Sequence, residues 1–429
     1  MTFVTARHSP APALREGDRV ALLVPGSHQY VDAVLSLLSA GIFPIPLDPR
    51  LTPTERARIL GDLAPKVAVE DEAALLALID PVGRRGLPRG RPIHVTSGTT
   101  GVPKGVFSGL LNDRAARALV AEEQDLWGFT ADDVNLVLSP LYHSAPLRFA
   151  AGTLLAGGRL VIPPGGFDPP AVTEAIQQQR PTTMFCVPTH LQRLFAHWDA
   201  VGVPDLTSFR LVAHAGAPCP AVVKRQLIAL FPPGTTWEFY GSTEGQFTAC
   251  RSEEWLQRPG TVGRARPGRW LTVDDDGAIW AGVPDHARFS YFGDPGKTAT
   301  AWRDTARGPE FTVGDLGRLD DEGYLWLDGR REDLIISGGV NVYPAEVEDV
   351  LAGHPAVRDV AVYGVPDPDW GQRVCAAVVG DIGGDELGRW ARERLAPPKR
   401  PKEYHFTEEL PRTLTGKVRR GDLTSDSRR

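Results

Sequence analysis

Cysteine is scarce in this chain of 429 residues. Its four cysteines, Cys186, Cys219, Cys250 and Cys375, are scattered and include no Cys-x-x-Cys pair. Neither a disulfide framework nor a zinc site is indicated by such spacing, and a reducing, cytoplasmic compartment is the expectation.

Long apolar runs and a large excess of one charge are also missing. The most apolar segment, residues 31–47, is interrupted by Gly41, Pro44 and Pro46 and is too short to span a bilayer. The first residues lack the charged and apolar regions of a signal peptide. Forty-seven basic and 53 acidic residues give a formal charge of −6, which argues against nucleic acid as a bulk partner. We therefore expect a soluble protein, long enough for two or three domains.

Strand and helix signals alternate along the first part of the chain. Residues 19–24 and 42–47 are strand-like and flank a helical segment that Gly41 ends, which predicts a βαβ unit with parallel strands. Thr52 and Glu55 form a capping-box pattern for the next helix. Further strands are predicted at 66–69, 134–138, 159–162, 182–187 and 211–213, with helices at 170–179 and 221–230. The alternation predicts an α/β fold with mainly parallel sheets.

The pattern changes near residue 260. Short strands separated by Asp-Gly and Glu-Gly turns predict a small antiparallel, β-barrel-like part at about 260–331. Beyond it, helices at 346–351 and 386–395 and strands at 357–362 and 374–379 predict an α+β domain. We expect a large domain over residues 1–331 and a small, mobile C-terminal domain over residues 332–429.

Residues 96–105 read Thr-Ser-Gly-Thr-Thr-Gly-Val-Pro-Lys-Gly, with almost no side-chain bulk. Backbone N–H groups and hydroxyls can close around an anion here, and Lys104 adds a positive charge. The stretch is not a Walker A loop, because Gly105 stands where a Ser or Thr would bind Mg²⁺. Taken alone, it is more typical of a flexible surface hairpin.

Two more stretches combine glycine with carboxylates. Residues 239–244, Phe-Tyr-Gly-Ser-Thr-Glu, offer an aromatic ring for a flat base, a hydroxyl for phosphate and a hard oxygen ligand in Glu244. Asp315 follows Gly314 and can accept both hydroxyls of a ribose, with Arg330 just downstream. A turn with a surface carboxylate is the ordinary alternative for residues 239–244, and a loop-capping role is the alternative for Asp315.

The last two stretches lie toward the C-terminus. Residues 335–346 form a glycine loop that leads into a helix with Pro344 at its start, a pattern also typical of a β-hairpin followed by a helix cap. Lys417 lies in a short Thr-Gly-Lys segment, and an isolated C-terminal lysine is usually only solvated.

Together and in this order, the five stretches resemble the adenylate-forming superfamily from about Arg19 to the end of the chain. The Ser-Gly-Gly-x-Asn-Val-x-Pro-Ala-Glu segment resembles its acyl-CoA synthetase branch. Residues 141–146, 215–220 and 293–298 make the chain similar to actinobacterial fatty- and medium-chain acyl-CoA ligases. By this resemblance, we expect the segment that precedes the first strand in most relatives to be largely absent. The resemblance therefore does not predict how one edge of the first sheet is formed or whether a homodimer surface is present.

The resemblance implies two half-reactions with ATP, Mg²⁺ and coenzyme A. A carboxylic acid and ATP give an acyl-adenylate and pyrophosphate, and the CoA thiol then displaces AMP. Lys417 would bridge the α-phosphate and the carboxylate, His143 would lie near the acyl carboxylate, and Thr243 would contact the α-phosphate. Mg²⁺ would be held by Glu244 and Thr99. The small domain would rotate about a hinge at Glu332 between the steps, where many relatives have aspartate.

The nucleotide and CoA contacts are implied in the same way. The β- and γ-phosphates would be held by Thr96, Ser97, Gly98, Thr99, Thr100, Gly101 and Lys104. Adenine would be enclosed by Ala215, Gly216, Ala217, Tyr240, Gly241 and Ser242, and the ribose by Asp315 and Arg330. The CoA arm would meet Ser337, Gly338 and Gly339.

Three questions stay open at this point. The final acceptor is CoA in the leading hypothesis, with a carrier-protein thiol or an amine as the alternative. A non-catalytic relative that binds nucleotide or an acyl ligand is the further alternative. The acid is an aliphatic or aryl carboxylic acid, with a pocket expected near residues 142–143, 187–190, 214 and 245–250.

Overall fold

The computed structural model describes residues 2–4, 13–82, 86–96, 104–216, 219, 221–275, 277–329, 335–342, 344–411, 420 and 422–423. The chain divides into two compact units. The large unit holds Met1–Pro49, Leu63–Val95 and Gly105–Gly329, and the small unit holds Arg50–Asp62, Thr96–Lys104 and Arg330–Arg429. Over the described ranges, no helix combines the length and apolar character that crossing a membrane requires.

A four-stranded parallel sheet opens the chain. The elements of this part of the chain are β1 (Thr2–Val4), β2 (Arg19–Leu22), α1 (His28–Ser39), β3 (Phe43–Pro46), α2 (Pro53–Leu63), β4 (Val67–Val69) and α3 (Glu72–Val82). Helix α2, except for its last residue, belongs to the small unit. The strand order is β1-β4-β2-β3, and β2 and β3 pair in parallel, so the predicted βαβ unit is confirmed.

The capping box is also confirmed. The Thr52 amide donates to Glu55 Oε2 at 3.0 Å, and the Glu55 amide donates to Thr52 Oγ1 at 3.3 Å. These reciprocal bonds satisfy amide groups that the first turn of α2 leaves without helical partners.

The next part of the chain builds a seven-stranded sheet. Its elements are β5 (His94–Thr96), β6 (Lys104–Phe107), α4 (Asp113–Trp127), β7 (Val134–Val137), α5 (Ser144–Leu155), β8 (Arg159–Val161), α6 (Pro169–Gln179), β9 (Thr183–Cys186), α7 (Pro188–Val201), β10 (Leu211–His214), α8 (Ala221–Leu230), β11 (Thr236–Glu238), β12 (Thr248–Arg251), α9 (Ser252–Gln257) and β13 (Arg264–Ala265). The strand order is β13-β12-β11-β10-β9-β7-β8. Strands β7 to β11 run parallel, whereas β12 and β13 pair antiparallel at one edge.

Both faces of this sheet are buried, which explains why its strands lack a polar face in the sequence. Met184 and Val212 point into one apolar cluster, with Trp198. Their neighbours Phe185 and Ala213 point into a second, aromatic cluster on the opposite face, which also contains Trp127, Phe129, Phe149 and Phe239. The carboxyl ends of β10 and β11 therefore emerge side by side from a rigid core.

The antiparallel part follows as predicted. Its elements are β14 (Trp270–Val273), β15 (Ile279–Gly282), β16 (Ser290–Tyr291), α10 (Pro295–Ala301), β17 (Trp302–Thr305), β18 (Gly308–Phe311), β19 (Leu316–Leu319) and β20 (Leu325–Gly329). Four strands pair in the order β14-β15-β18-β17, and β19 pairs with β20. Strand β16 instead joins β6 and β5 in a three-stranded sheet.

The C-terminal part of the small unit is an α+β sheet. Its elements are β21 (Ile335–Ser337), β22 (Val340–Val342), α11 (Pro344–Ala352), β23 (Val357–Asp367), β24 (Gly371–Gly380), α12 (Gly384–Arg394) and β25 (Glu403–Phe406). Strand β24 pairs antiparallel with β23 and parallel with β25. One apolar cluster lies under the two helices, and a second, around Tyr363 and Cys375, covers the other face. The mixed α/β fold with a small C-terminal part agrees with the predicted fold class.

Candidate functional site

A tight turn follows β11 and carries residues 239–246. The Ser242 amide donates to the Gly245 carbonyl at 2.8 Å, and the Phe247 amide donates to the Tyr240 carbonyl at 2.9 Å. A Cβ on Gly241 would lie 2.7 Å from the Gly245 carbonyl oxygen, so this position requires glycine. The close approach in the structure is to the backbone of the same turn.

Glu244 lies at the tip of this turn and is buried. Tyr291 Oη donates to Glu244 Oε1 at 2.8 Å, and Arg91 Nη1 donates to the Glu244 backbone carbonyl at 3.1 Å. Within the described residues, Glu244 Oε2 has no hydrogen bond. A carboxylate with one oxygen fixed by a neighbour and the other available fits a hard divalent cation such as Mg²⁺.

Tyr240 and Asp315 are brought together across the large unit. Tyr240 Oη donates to Asp315 Oδ2 at 2.5 Å, although the two residues are 75 positions apart. Tyr240 is buried, whereas Asp315 is partly exposed between β18 and β19. The phenol occupies one carboxylate oxygen and holds the group in place, and a carboxylate can accept further hydrogen bonds from hydroxyls.

His143 stands at the N-cap of α5, with its ring 4.5 Å from the ring of Tyr142. Tyr142 Oη donates to Asp48 Oδ2 at 3.0 Å, and the Tyr142 carbonyl accepts from His94 Nδ1 at 3.1 Å. Burial lowers the pKa of His94 to about 3, so this imidazole stays neutral. The segment before α5 is therefore fixed at both its backbone and its side chains.

A buried trio of ionisable side chains at the ends of β10 and β11 was missed from the sequence. Lys224 Nζ on α8 lies 2.7 Å from His214 Nε2 and 3.3 Å from Glu238 Oε2. Burial raises the pKa of Glu238, although Lys224 acts in the opposite direction, and burial together with Lys224 lowers the pKa of His214 well below its usual value. The sequence signal that could have revealed the burial of Lys224 is its position next to Val223 on the apolar face of α8.

The trio links the two strands that carry the predicted adenine contacts. Ala215 and Gly216 follow His214 directly, and Gly216 has a φ of 91°. The turn of residues 239–246 follows Glu238. Because Lys224 contacts the last residue of each strand, it fixes the spacing of the two loops.

A cavity of about 160 Å³ lies in the large unit beside Ser242 and Thr243. Apolar side chains of α1, α4 and α5 form most of its wall: Val34, Leu35, Leu38, Leu119, Val120, Leu147, Ala151 and Leu155. A Cβ on Gly152 would lie 2.5 Å from the ring of Phe129, so glycine lets α5 approach that ring closely. Of the segments expected to line the acyl pocket, this cavity includes only Gly245 and Gln246.

A polar network forms another part of the cavity wall. Arg148 Nη2 donates to Gln246 Oε1 at 2.9 Å, and Arg266 Nη1 donates to Glu123 Oε1 at 2.8 Å. Burial alone would raise the pKa of Glu123, but Arg148 and Arg266 lower it below its usual value. Arg269 in turn donates to the neighbouring carboxylate of Glu122 at 2.6 Å. These charges are paired, as buried ions must be.

The remaining site residues predicted from the sequence lie at the ends of β5 and β6, in a turn of the small unit, or outside the described residues. Thr96 ends β5 and Lys104 begins β6. In the small unit, Gly338 and Gly339, with φ angles of 57° and 77°, form the turn between β21 and β22, and Ser337 is buried beside them. The others lie outside the described residues: Ser97, Gly98, Thr99, Thr100, Gly101, Ala217, Arg330, the hinge candidate Glu332 and Lys417.

Comparison with known proteins identifies the family of this chain. The AMP-binding enzyme family matches residues 12–87 and 93–284, and the AMP-binding enzyme C-terminal domain matches residues 346–417. Feruloyl-CoA synthase from Amycolatopsis is 36% identical, with 96% of this chain and 89% of the relative covered.

Two solved structures are also similar. O-succinylbenzoate CoA synthetase from Bacillus subtilis superposes with a TM-score of 0.82 at 27% identity, covering 96% of this chain and 88% of the other. The amide bond synthetase McbA from Marinactinospora thermotolerans gives 0.79 at 28%, covering 96% and 90%. The chain therefore belongs to the AMP-binding enzyme family, in its acyl-CoA ligase branch, and joins a carboxylic acid to coenzyme A through an acyl-adenylate.

Proposed function

We propose that the acid is a carboxylic acid with a compact apolar body, either an aromatic ring or an aliphatic chain of similar size. The cavity beside Ser242 and Thr243 is the observation that carries this proposal. An apolar cavity of about 150 Å³ in another protein binds benzene, so about 160 Å³ suits a body of roughly six carbons. An aliphatic acid of this size would place the enzyme in fatty acid metabolism.

The orientation of the acid follows from the wall of the cavity. The hydroxyl-bearing residues Ser242 and Thr243 belong to the turn with Glu244, whereas Leu147 and Ala151 on α5 contribute apolar surface. The carboxylate should therefore lie toward the turn and the body along α5. Arg148 and Gln246 are placed to meet a polar substituent on that body.

The nucleotide contacts are part of the same proposal. Tyr240 and Asp315 hold adenine and ribose, with Ala215 to Ala217 on the other side of the base and Arg330 on the ribose. Thr96 to Lys104 hold the β- and γ-phosphates, Thr243 holds the α-phosphate, and His143 lies near the acid. Mg²⁺ would be held by Glu244, supported by Tyr291, and would neutralise phosphate charge.

The small C-terminal domain, taken as residues 332–429, completes the proposal. Lys417 would stabilise the charge that develops on the α-phosphate and the attacking carboxylate during adenylation. The turn at Ser337 to Gly339 would then contact the CoA arm in the thioester step, after a movement of the domain.

The first test is pyrophosphate release from ATP and Mg²⁺ with a panel of acids, each with and without CoA. Acids from acetate to dodecanoate and a benzoate-to-cinnamate series would be compared by kcat/KM. We expect a maximum at a body of about six carbons or one ring, with acyl-CoA and AMP accumulating. A maximum at acetate or at dodecanoate would contradict the cavity argument.

A size-reducing variant tests the cavity itself. Ala151→Leu adds three carbons to the wall, and one methylene in an apolar pocket is worth about 1–3 kcal/mol, or roughly 10–200-fold in kcat/KM. In this variant, kcat/KM for the preferred acid should therefore fall by at least about tenfold, whereas kcat/KM for acetate should stay unchanged. Ala306→Leu, at an exposed turn, is the matched control. Equal losses for all acids would show a general structural defect instead.

An amine is the second candidate acceptor, since the chain superposes on an amide bond synthetase. If pyrophosphate release stops near one equivalent with CoA and continues with an amine, the acceptor is the amine. A pantetheinylated carrier protein would be tried in the same assay. Lys417→Ala should abolish release with every acceptor, whereas continued turnover in that variant would exclude the proposed role of Lys417.

A further inference from the structure

Three side chains that commonly bind metals meet on one face of the small unit. Cys375 lies on β24, and Glu403 and His405 lie on the neighbouring strand β25. The parallel register places Cys375 beside Glu403. His405 is two residues further along β25, and because side chains alternate along a strand, it lies on the same face as Glu403.

The potential ligand atoms are close together. Cys375 Sγ lies 3.9 Å from Glu403 Oε2, and His405 Nε2 lies 3.4 Å from the same oxygen. One ligand atom from each of the three residues lies within 4.8 Å of the others. The residues therefore form a cluster of a sulfur, a nitrogen and an oxygen ligand.

These distances can be compared with a tetrahedral zinc site. Zinc binds sulfur at about 2.3 Å and histidine nitrogen or carboxylate oxygen at about 2.0–2.2 Å, so ligand atoms in a tetrahedron are about 3.4 Å (N to O) and about 3.6 Å (S to O) apart. The observed separations are 3.4 and 3.9 Å. We propose that Cys375, Glu403 and His405 form a zinc-binding site, with its fourth position open to water.

The surroundings support the carboxylate ligand and leave an entry path. Arg373 Nη2 lies 3.1 Å from Glu403 Oε1 and donates to Glu403 Oε2 at 3.2 Å, and its Nη1 lies 3.6 Å from Asp367 Oδ2. Arg373 thus orients Glu403 and shares its charge with Asp367, as outer ligands of metal sites do. The side chains of Glu403 and His405 are 41% and 44% exposed, so a cation can enter from solvent.

The ligand set also decides which cation fits. Cys375 is buried and would supply a thiolate, the soft ligand of the three. Zinc binds thiolate and imidazole ligands, whereas Mg²⁺ prefers oxygen ligands, so this set favours zinc over Mg²⁺. The site is thus chemically distinct from the cation position expected at Glu244.

The absence of Cys-x-x-Cys pairs argues against zinc sites built from cysteine pairs, but a mixed site needs only one cysteine. Its ligands come from two strands, with Cys375 and Glu403 28 residues apart in the sequence. Sequence proximity could not have shown that they meet.

The experiment uses the full-length, reduced and chelator-treated protein. Co²⁺ is titrated as a spectroscopic substitute for zinc, and Zn²⁺ is then added in competition. We expect one equivalent of Co²⁺ to give a thiolate-to-cobalt charge-transfer band that stoichiometric Zn²⁺ removes. Cys375→Ser should abolish the band, and Cys250→Ser, which removes another buried thiol, should retain it.

Two further variants keep the test decisive if Cys375→Ser folds poorly. His405→Ala and Glu403→Gln change partly exposed side chains and should each weaken binding by about tenfold or more. A titration without a charge-transfer band would overturn the proposal. So would a band that persists in Cys375→Ser, or affinities that are the same in all variants.

Discussion

Replacing Lys224 with methionine tests whether the buried trio holds the nucleotide-binding strands. Lys224 is 0% exposed and lies within hydrogen-bonding distance of both His214 and Glu238. Removing one partner of a buried ion pair costs about 3–5 kcal/mol, because the other charge is left without compensation. Methionine fills nearly the same volume, so packing contributes little to this difference. We expect the free energy of unfolding to fall by about 3–5 kcal/mol.

The loss should depend on pH in a defined direction. The pKa of Glu238 in the folded state is already above its ordinary value, and Lys224 is what limits that increase. In Lys224→Met the folded-state pKa of this carboxyl should rise further. A carboxyl whose pKa is higher in the folded state than in the unfolded state loses stability as pH rises between the two values. The penalty should therefore be larger at pH 8 than at pH 5.

Urea unfolding of four proteins measures these effects: wild type, Lys224→Met, Glu238→Gln and the double variant. The double variant should be less destabilised than the sum of the single variants, with a coupling energy of about 1–3 kcal/mol. Arg225→Met is the matched control, since Arg225 is the next residue on α8 and is exposed. Additive losses, or a Lys224→Met protein as stable as the control, would refute the reasoning.

Three further predictions concern pH, the turn and the carboxylate. Burial lowers the folded-state pKa of His94, His190 and His214. The unfolded state therefore binds more protons below pH 6.5, and the free energy of unfolding should fall by about 4 kcal/mol between pH 7.5 and 5.5, about 1.4 kcal/mol for each histidine. A flat profile in urea unfolding would contradict this. Gly241→Ala would place a Cβ 2.7 Å from a backbone oxygen of its own turn. The kcat/KM for ATP should fall at least about tenfold, and the free energy of unfolding should fall by about 1–3 kcal/mol. An unchanged kcat/KM would argue against a role of the turn in nucleotide binding. Tyr291→Phe removes the hydrogen bond to Glu244 and should raise the Mg²⁺ concentration needed for pyrophosphate release by about 10–100-fold. An unchanged Mg²⁺ dependence would exclude a role of Tyr291 in positioning the Glu244 carboxylate.

Much of the fold could be predicted because its signals are local. The capping box at Thr52, the helix end at Gly41 and the run of alternating strands and helices each depend on neighbouring residues, and each is present in the structure. The antiparallel pairing of β12 and β13 at the edge of the large sheet was not predicted. Strand pairing depends on which segments meet in space, and the sequence contains no local record of that.

The same distinction applies to the site. The turn around Glu244 was identified because its residues are consecutive. Its supporting residues were not, since Arg91 is 153 positions away and Tyr291 is 47 positions away. Lys224 was missed for a different reason. A lysine on a helix usually marks the solvent-facing side, and only packing shows that this one is buried.

Helix α5 has consequences for how the substrate range of this enzyme could change. Leu147 and Ala151 face the cavity, whereas Phe149 on the opposite side packs into the aromatic cluster of the central sheet. Substitutions at the first two positions can therefore alter the size of the accepted acid without disturbing the cluster that anchors the helix. Random libraries restricted to that face should yield folded enzymes with new acid preferences, and natural divergence among relatives could follow the same route.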